Sequence, residues 1–205
     1  MATGKFYAFV KKYIGALVKL FFRIRVVGRE NIPENGGYIL CCNHTHFMDV
    51  VWLVIAFPHP ICFMAKQELF KNKFIAKILK IMGAFPVARG TGTGGTTAIH
   101  TAEKLVNDGN VLGIFPEGTR NPHGKPKAAK SGVVVIASST GADIVPTSIY
   151  YEGKLTLFKK ITLNIGPVIP KEELKMEEAN RVELKRVAGH IMGKITSQWE
   201  AGHCE

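Results

Sequence analysis

Residues 38–57 read YILCCNHTHFMDVVWLVIAF and pass from a buried strand into a helix. The first five residues form an apolar run with the length of a buried strand. Residues 47–57 form a second apolar run, which predicts a helix that ends at Pro58. The polar stretch of residues 43–49, through which the first run passes into the second, contains His44 and Asp49. A strand that leads through a polar turn into a helix is typical of α/β domains, whose turns often carry functional groups.

The same alternation of strands and helices continues along the chain. Apolar runs predict further strands at residues 61–65, 84–88, 111–115, 144–150 and 161–165. Helical spacing of apolar residues predicts helices at residues 5–22, 68–82, 96–106, 133–139 and 177–199. This order predicts a single mixed α/β domain whose sheet is flanked by helices. We assign residues 1–24 to an N-terminal amphipathic helix and residues 25–205 to the domain.

Length and composition are those of a folded, basic protein. The 205 residues are 46% hydrophobic and 21% charged, which excludes a disordered tail. The net charge of +11 favours an anionic partner, such as a phospholipid surface, a nucleic acid or a phosphorylated substrate. The four cysteines do not have the spacing of a disulfide framework, and this favours a reducing compartment.

The N-terminal segment concentrates part of this charge, with seven basic side chains and no acidic one in residues 1–29. On a helical wheel of residues 5–22, the lysines lie opposite an apolar arc of about 180° formed by Phe6, Phe9, Val10, Tyr13, Ile14, Leu17, Val18, Leu20 and Phe21. Aromatic residues opposite lysines favour a helix that lies in a membrane interface. The alternative is an amphipathic helix packed on its own domain. A nucleic-acid-binding arm needs no wide aromatic face, so we expect no nucleic-acid partner.

The polar turn of residues 43–49 contains the first candidate site. His44 and Asp49 are five residues apart, so a regular helix would leave them about 140° out of line, whereas a non-helical turn can bring them together. Asp49 would then fix the imidazole tautomer, and His44 could remove a proton from a hydroxyl group. Two alternatives use Cys41 and Cys42, either as zinc ligands with the neighbouring histidines or as a nucleophile. Adjacent cysteines point to opposite faces of a strand and no second ligand pair follows, so we predict no metal site.

The second candidate site is the turn FPEGTRN of residues 115–121, which follows a predicted strand. Its glycine permits a close backbone approach, and its arginine can bind phosphate in bidentate fashion. Its glutamate can accept a hydrogen bond from a substrate hydroxyl or orient the arginine. A lysine follows shortly, before a helix whose N-terminus could add donors for an anion. The candidate binding residues are Glu117, Gly118, Thr119, Arg120 and Lys130.

A glycine-rich stretch, RGTGTGG at residues 89–95, lies between these two sites in the chain. It fits the G-x-G-x-x-G pattern between a predicted strand and a predicted helix, as a dinucleotide-binding turn requires. That fingerprint also needs an acidic residue about 20 positions later, whereas Asp108 comes too early and lies in a predicted turn. The alternative is a loop that precedes a helix, with Arg89 available for an anion.

Together these motifs resemble those of a known enzyme family. The residues that carry the resemblance are, in chain order, His44, Asp49, Gly83, Phe85, Arg89, the FPEGTR run of residues 115–120, and Val145-Pro146. Their order and spacing resemble the glycerolipid acyltransferase family, and within it the bacterial-type 1-acylglycerol-3-phosphate acyltransferases. The resemblance extends from residue 28 to residue 170, and it implies a mixed-sheet acyltransferase domain.

The resemblance also implies a reaction and a role for each candidate residue. It implies direct transfer of a fatty acyl group from acyl-CoA or acyl-carrier protein to the free 2-hydroxyl of lysophosphatidate, with neither a cofactor nor a metal ion. His44 would be the general base and Asp49 would orient it. The acceptor would be bound by Arg89, Glu117, Gly118, Thr119, Arg120 and Lys130. The implied location is an anionic phospholipid surface at the cytoplasmic face of the cell membrane.

Three positions depart from the family pattern and bear on acceptor recognition: Pro86, Ala88 and Ala129. Within the family, the alternative acceptors are glycerol-3-phosphate and other lyso-lipids. Outside it, the alternatives are a nucleotide-dependent oxidoreductase that uses the glycine-rich stretch and a non-catalytic, basic lipid-binding module. The last of these would lose no chemical activity when His44 is replaced by alanine.

Overall fold

The computed structural model of the chain describes residues 4–81, 83–87, 93–121, 125–178 and 180–202. In these ranges, seven strands form one sheet with helices on both faces. The strands are β1 (Arg23–Val27), β2 (Ile39–Cys42), β3 (Ile61–Lys66), β4 (Phe85–Val87), β5 (Val111–Ile114), β6 (Ile144–Tyr150) and β7 (Lys160–Ile165). The α-helices are α1 (Gly4–Phe21), α2 (Asp49–Ala56), α3 (Lys73–Ile81), α4 (Thr93–Asn107), α5 (Gly132–Thr140) and α6 (Arg181–Ala201).

The strand order across the sheet is β1-β7-β6-β2-β5-β3-β4. The strands from β6 to β4 are parallel to one another, whereas β7 runs antiparallel to β6 and parallel to β1. The sheet is therefore mixed, and the predicted fold class is confirmed. Parallel strands need crossover connections, which the helices between them supply.

Each face of the sheet has its own apolar core. On one face, α1 and α2 pack on the sheet. The largest fully buried side chains there are Trp52 of α2 and Phe57, which directly follows α2. On the other face, α4, α5 and α6 pack through small and branched residues such as Ala102 and Ile191. A central sheet that is buried on both faces explains why β2 and β5 read as continuous apolar runs rather than alternating ones.

Capping asparagines move two helix starts from their predicted positions. The helix predicted from residue 68 is wrong at its beginning: Gln67–Phe70 is a 3-10 turn, and Asn72 accepts hydrogen bonds from the backbone N–H groups of Phe74 and Ile75. Likewise, the helix predicted from residue 177 begins at Arg181, because Asn180 caps its first turn. Asparagine at this position satisfies N–H groups that have no partner inside the helix.

Strand β1 was not predicted, because its sequence RIRVV joins two arginines to apolar residues at the edge of the sheet. Edge strands are recognised by their partner more than by their own composition. Here the partner is β7, which pairs with β1 over its whole length although more than a hundred residues separate them in the chain. The pairing is therefore a property of the tertiary structure.

Helix α1 packs on the domain through a narrow strip and leaves most of its apolar surface exposed. Tyr7 and Val18 are buried, and the Lys11 ammonium donates a hydrogen bond to the carbonyl of Phe57 at the end of α2. Among the described side chains of α1, the large apolar ones that are exposed are Phe9, Tyr13, Ile14, Leu17, Leu20 and Phe21. None of the helices in the described ranges is both long and apolar enough to cross a membrane. The boundary at residues 24 and 25 stays a prediction.

Candidate active site

The two motifs singled out in the sequence follow neighbouring parallel strands. β2 pairs with β5, with Cys41 opposite Ile114, so both strands end at the same edge of the sheet. The His44 turn continues from β2 and the FPEGTR turn continues from β5. In α/β sheets, ligands bind beyond the carboxyl ends of the strands. The sheet therefore places the two motifs where a shared site can form.

His44 and Asp49 form a hydrogen-bonded pair in the turn before α2. The His44 Nδ1 atom lies 2.8 Å from Asp49 Oδ2. The same oxygen accepts hydrogen bonds from the backbone N–H groups of Thr45 (2.7 Å) and His46 (2.8 Å). Asp49 is fully buried and is the first residue of α2, where the helix dipole favours a negative charge. An imidazole that donates from Nδ1 carries its lone pair on Nε2, the nitrogen that can accept a proton.

An aromatic stack fixes the plane of the His44 ring. The ring lies on Phe115 with centroids 4.0 Å apart and planes inclined by 17°. Phe63 also stacks with Phe115, with centroids 5.9 Å apart and planes inclined by 14°. Phe115 was quoted as part of the second motif but was not among the predicted site residues, although it directly follows β5 at the site edge. The His44 side chain is 16% exposed, which leaves one edge of the ring accessible.

The carboxylate of Glu117 ties the two turns together. Its Oε1 accepts a hydrogen bond from the His44 backbone N–H (3.0 Å), and its Oε2 accepts one from the Lys127 N–H (3.1 Å). Asn121 adds a third link, because its backbone N–H donates to the His44 carbonyl at 2.6 Å. Burial raises the pKa of the Glu117 carboxyl, and the two backbone donors lower it in part. These contacts give Glu117 a role in positioning His44, while its contact with the acceptor stays a prediction.

The other predicted binding residues lie on the outer surface of this turn. Gly118 has a φ of 70°, a conformation that glycine adopts without strain, and the side-chain carbons of Lys130 lie 2.8 Å from where a Cβ would stand. The Lys130 backbone N–H donates to the Pro116 carbonyl at 2.9 Å, two residues before α5 begins. Thr119 and Arg120 are exposed.

Arg120 thus belongs to the turn whose backbone contacts His44, and the Lys130 side chain lies against Gly118 of the same turn. The third predicted cation, Arg89, lies outside the described residues, as does most of the glycine-rich stretch, because α4 begins at Thr93. The described part of the site therefore offers one candidate base with an oriented ring and a cationic turn for an anionic acceptor.

The cysteines of this region do not have the environment of nucleophiles. Cys41 and Cys42 are fully buried thiols, and burial raises the pKa of both. Reactive cysteines need the thiolate, which such surroundings disfavour. No cluster of three or more His, Cys, Asp or Glu side chains suited to a metal ion occurs among the described residues.

A comparison with models of protein families identifies the family of the chain. The model of the family described as Acyltransferase matches residues 23–150, a range that contains both motifs and Lys130. The chain belongs to the acyltransferase family. This confirms the resemblance seen in the sequence and makes the chain an enzyme of acyl transfer.

Individual members of the acyltransferase family show the same relationship. The chain is 37% identical over 158 residues to the 1-acyl-sn-glycerol-3-phosphate acyltransferase of Bacillus subtilis, covering 75% of this chain and 76% of the relative. It is 34% identical over 144 residues to the protein of that name from Borreliella burgdorferi, covering 70% of this chain and 57% of the relative. The crystal structure of the 1-acyl-sn-glycerophosphate acyltransferase PlsC from Thermotoga maritima superposes with a TM-score of 0.75 at 25% identity, over 97% of this chain and 80% of that one.

The positioning role of Glu117 predicts a measurable loss in a Glu117→Gln variant. Glutamine offers a single acceptor oxygen, so one of the two backbone N–H groups loses its partner and the His44 turn can shift. We expect kcat of acyl transfer to fall about 10- to 100-fold, because small displacements of reacting groups are costly. The matched control is Glu172→Gln, which makes the same change at an exposed glutamate outside both site motifs. An unchanged kcat would show that the turn keeps its position without this carboxylate.

Proposed function

We propose that this acyltransferase moves a fatty acyl group to the free 2-hydroxyl of lysophosphatidate and so makes phosphatidate for phospholipid synthesis. The observation that carries the proposal is the His44–Asp49 pair held beside the cationic FPEGTR turn. The His44 imidazole can accept a proton from a hydroxyl group, and the arginine of the FPEGTR turn suits a phosphate. The names of the Bacillus subtilis and Thermotoga maritima relatives support the choice of acceptor.

In the proposed reaction, His44 Nε2 takes the proton of the acceptor hydroxyl while the hydroxyl oxygen attacks the thioester carbonyl carbon. The new C–O ester bond forms, the C–S bond breaks, and the thiol leaves with the proton that His44 returns to it. Asp49 accepts the Nδ1–H hydrogen bond and stabilises the imidazolium that exists between these two transfers. No acyl-enzyme forms, because the acceptor itself is the nucleophile.

Acceptor binding is assigned to the cations of the site. Arg120 and Lys130 would hold the phosphate, with Arg89 as a third donor and with Gly118 and Thr119 lining the turn. The net charge of +11 would attract a doubly negative lysophosphatidate and an anionic acyl donor. The acyl donor in this proposal is acyl-CoA or acyl-carrier protein, and the reaction needs no further cofactor.

The experiment that tests this proposal measures thiol release from palmitoyl-CoA by the full chain, with and without lysophosphatidate. Acceptor-dependent release together with phosphatidate formation is the expected result. Glycerol-3-phosphate and lyso-phosphatidylethanolamine serve as the comparison acceptors. Release that is faster with either of these than with lysophosphatidate would overturn the acceptor assignment, whereas release without any acceptor would overturn direct transfer.

An Arg120→Ala variant is expected to raise the KM for lysophosphatidate about 10- to 100-fold with a smaller change in kcat. The reason is that a charge-assisted hydrogen bond to phosphate contributes about 1.5–3 kcal/mol. Steady-state kinetics at varied acceptor concentration make the measurement, and Arg181→Ala, an exposed arginine at the start of α6, is the control. A fall in kcat without a change in KM would remove Arg120 from acceptor binding.

We also propose that the enzyme lies on the anionic cytoplasmic face of the cell membrane through the exposed apolar side of α1. Removing α1 would also remove buried Tyr7 and Val18, so substitution of exposed residues is the cleaner test. Leu17→Ser combined with Leu20→Ser is expected to weaken binding to phosphatidylcholine–phosphatidylglycerol vesicles about tenfold, because both side chains would lose their apolar contact with lipid. Vesicle sedimentation of this variant and wild type is the measurement. Equal sedimentation would contradict a membrane role for α1.

A further inference from the structure

Exposed apolar side chains are concentrated on one face of the sheet. Apart from α1, the large ones within the described ranges are Phe47, Leu69, Phe74, Ile75, Ile78, Leu157, Phe158 and Val182. All of these except Val182 belong to segments whose other residues pack on the same core as α1 and α2. Val182 is in α6, which packs on the opposite face. Exposed apolar surface that is concentrated in this way marks an interaction surface.

Helix α3 contributes an apolar stripe to this face. It has nine residues, and none of residues 73–80 is buried. Only its inner side meets the core, through Leu79, while Phe74 is 73% exposed and Ile75 and Ile78 are exposed beside it. A helix of this length has marginal stability in water and depends on packing of its apolar face. The outer part of that face would gain such packing from a partner.

The charge around α3 indicates what that partner is. Four lysines, Lys71, Lys73, Lys77 and Lys80, occur in and next to the helix, and no acidic residue occurs between Glu68 and Glu103. On the helical wheel, the three lysines within α3 form a strip beside the apolar stripe. An apolar stripe bordered by lysines matches an anionic lipid surface, where each lysine adds about 1 kcal/mol. A second copy of the chain would bring like charges together on this surface, which disfavours self-association.

A loop tip beside α1 adds a second apolar element. In the connection between β6 and β7, Leu157 and Phe158 are 62% and 61% exposed. The Phe158 N–H donates to the Phe21 carbonyl at 2.6 Å, and the Arg23 N–H donates to the Lys159 carbonyl at 3.0 Å, so the tip is held at the end of α1. Phe158 has a φ of 63°, which is unusual for a bulky residue. An exposed phenylalanine held in this conformation points to a function rather than to packing within the chain.

We propose that α3 and the Leu157–Phe158 tip contact the anionic bilayer together with α1, so that the membrane-binding surface has three separate elements. The inference rests on the membrane association proposed for α1 and extends it. Phe47, three residues after His44, is 60% exposed on the same face. The three contacts thus orient the enzyme with the His44 turn toward the lipid surface that supplies a lyso-lipid acceptor.

Tryptophan substitution in the full chain tests insertion directly. Phe74→Trp and Phe158→Trp are mixed with phosphatidylcholine–phosphatidylglycerol vesicles whose acyl chains are brominated, and the quenching of fluorescence is compared with that of wild type. Wild type contains Trp52, which is fully buried, and Trp199, which is half-buried on α6, so its signal provides the background. We expect additional quenching in both variants and none in Val182→Trp, the matched control on the opposite face. If neither variant is quenched more than wild type although all three proteins bind the vesicles, the proposal is overturned.

Loss-of-contact variants give an independent readout. Phe74→Ser with Ile78→Ser, and Leu157→Ser with Phe158→Gly, are each expected to weaken vesicle binding about tenfold, whereas Val182→Ser leaves it unchanged. Phe158→Gly should not lower the melting temperature, since glycine readily adopts a positive φ. Activity on lysophosphatidate in detergent micelles should persist in all variants. If wild type does not bind vesicles, the proposed role of α1 is overturned as well. If wild type is a dimer that these substitutions convert to monomers, a second copy of the chain is the partner instead.

Discussion

Replacement of His44 by alanine is expected to lower kcat about 10²- to 10⁴-fold, which is the contribution of a positioned general base. The acceptor hydroxyl would then have no group to receive its proton, while Arg120 and Lys130, the proposed phosphate ligands, would be unchanged. The KM for lysophosphatidate should therefore change little. Thiol release from palmitoyl-CoA, measured at saturating acceptor for wild type and variant, makes the comparison.

The fold should tolerate this change. The His44 side chain is partly accessible, and the backbone contacts of residue 44 with Glu117 and Asn121 do not involve its ring. His100→Ala is the matched control, because His100 is an exposed histidine on α4 that pairs with Glu103. Equal turnover in wild type and His44→Ala, with both proteins folded, would remove the base assignment and favour a non-catalytic lipid-binding module.

Replacement of Asp49 by asparagine is expected to reduce kcat to a similar extent, about 10²- to 10⁴-fold, although Asp49 is not expected to touch the substrate. The carboxylate accepts the Nδ1–H of His44, and in the proposed reaction it would also stabilise the imidazolium. A neutral amide can keep the position of the ring, but it provides no negative charge and can present its NH₂ group to Nδ1. The KM for the acceptor should remain near the wild-type value.

A second variant separates the catalytic part of this effect from the structural part. Asp49→Ala would leave the backbone N–H groups of Thr45 and His46 without their buried acceptor. We therefore expect its free energy of unfolding, measured by urea denaturation, to be about 1–3 kcal/mol lower than that of Asp49→Asn. Both variants should nevertheless lose acyl transfer to a similar degree. If Asp49→Asn retains wild-type kcat, the charge of Asp49 has no part in the reaction and its role is to shape the turn.

Local sequence was sufficient for the elements that carry strong patterns. Strand β2, helix α2 and strand β5 were predicted within two residues of their observed bounds, because apolar runs and terminating prolines act over short distances. The proximity of His44 and Asp49 was also a local matter, since His44 lies in the turn between β2 and α2 and Asp49 is the first residue of α2. The family assignment followed from the same motifs, which are short and have a fixed order.

Tertiary structure decided how these local pieces combine. The sequences of residues 43–49 and 115–121 do not predict that β2 and β5 are neighbours. Only the pairing of these strands brings Glu117 to the backbone of His44 and Phe115 to its ring. Strand β1 likewise exists because β7 lies beside it. The physical reason is that hydrogen bonds and ring contacts between distant segments depend on the packing of the whole sheet, whereas apolar periodicity and capping are encoded within a few residues. The sequence alone therefore determined the reaction class and the candidate base, and the assembled sheet determined which groups hold that base in place.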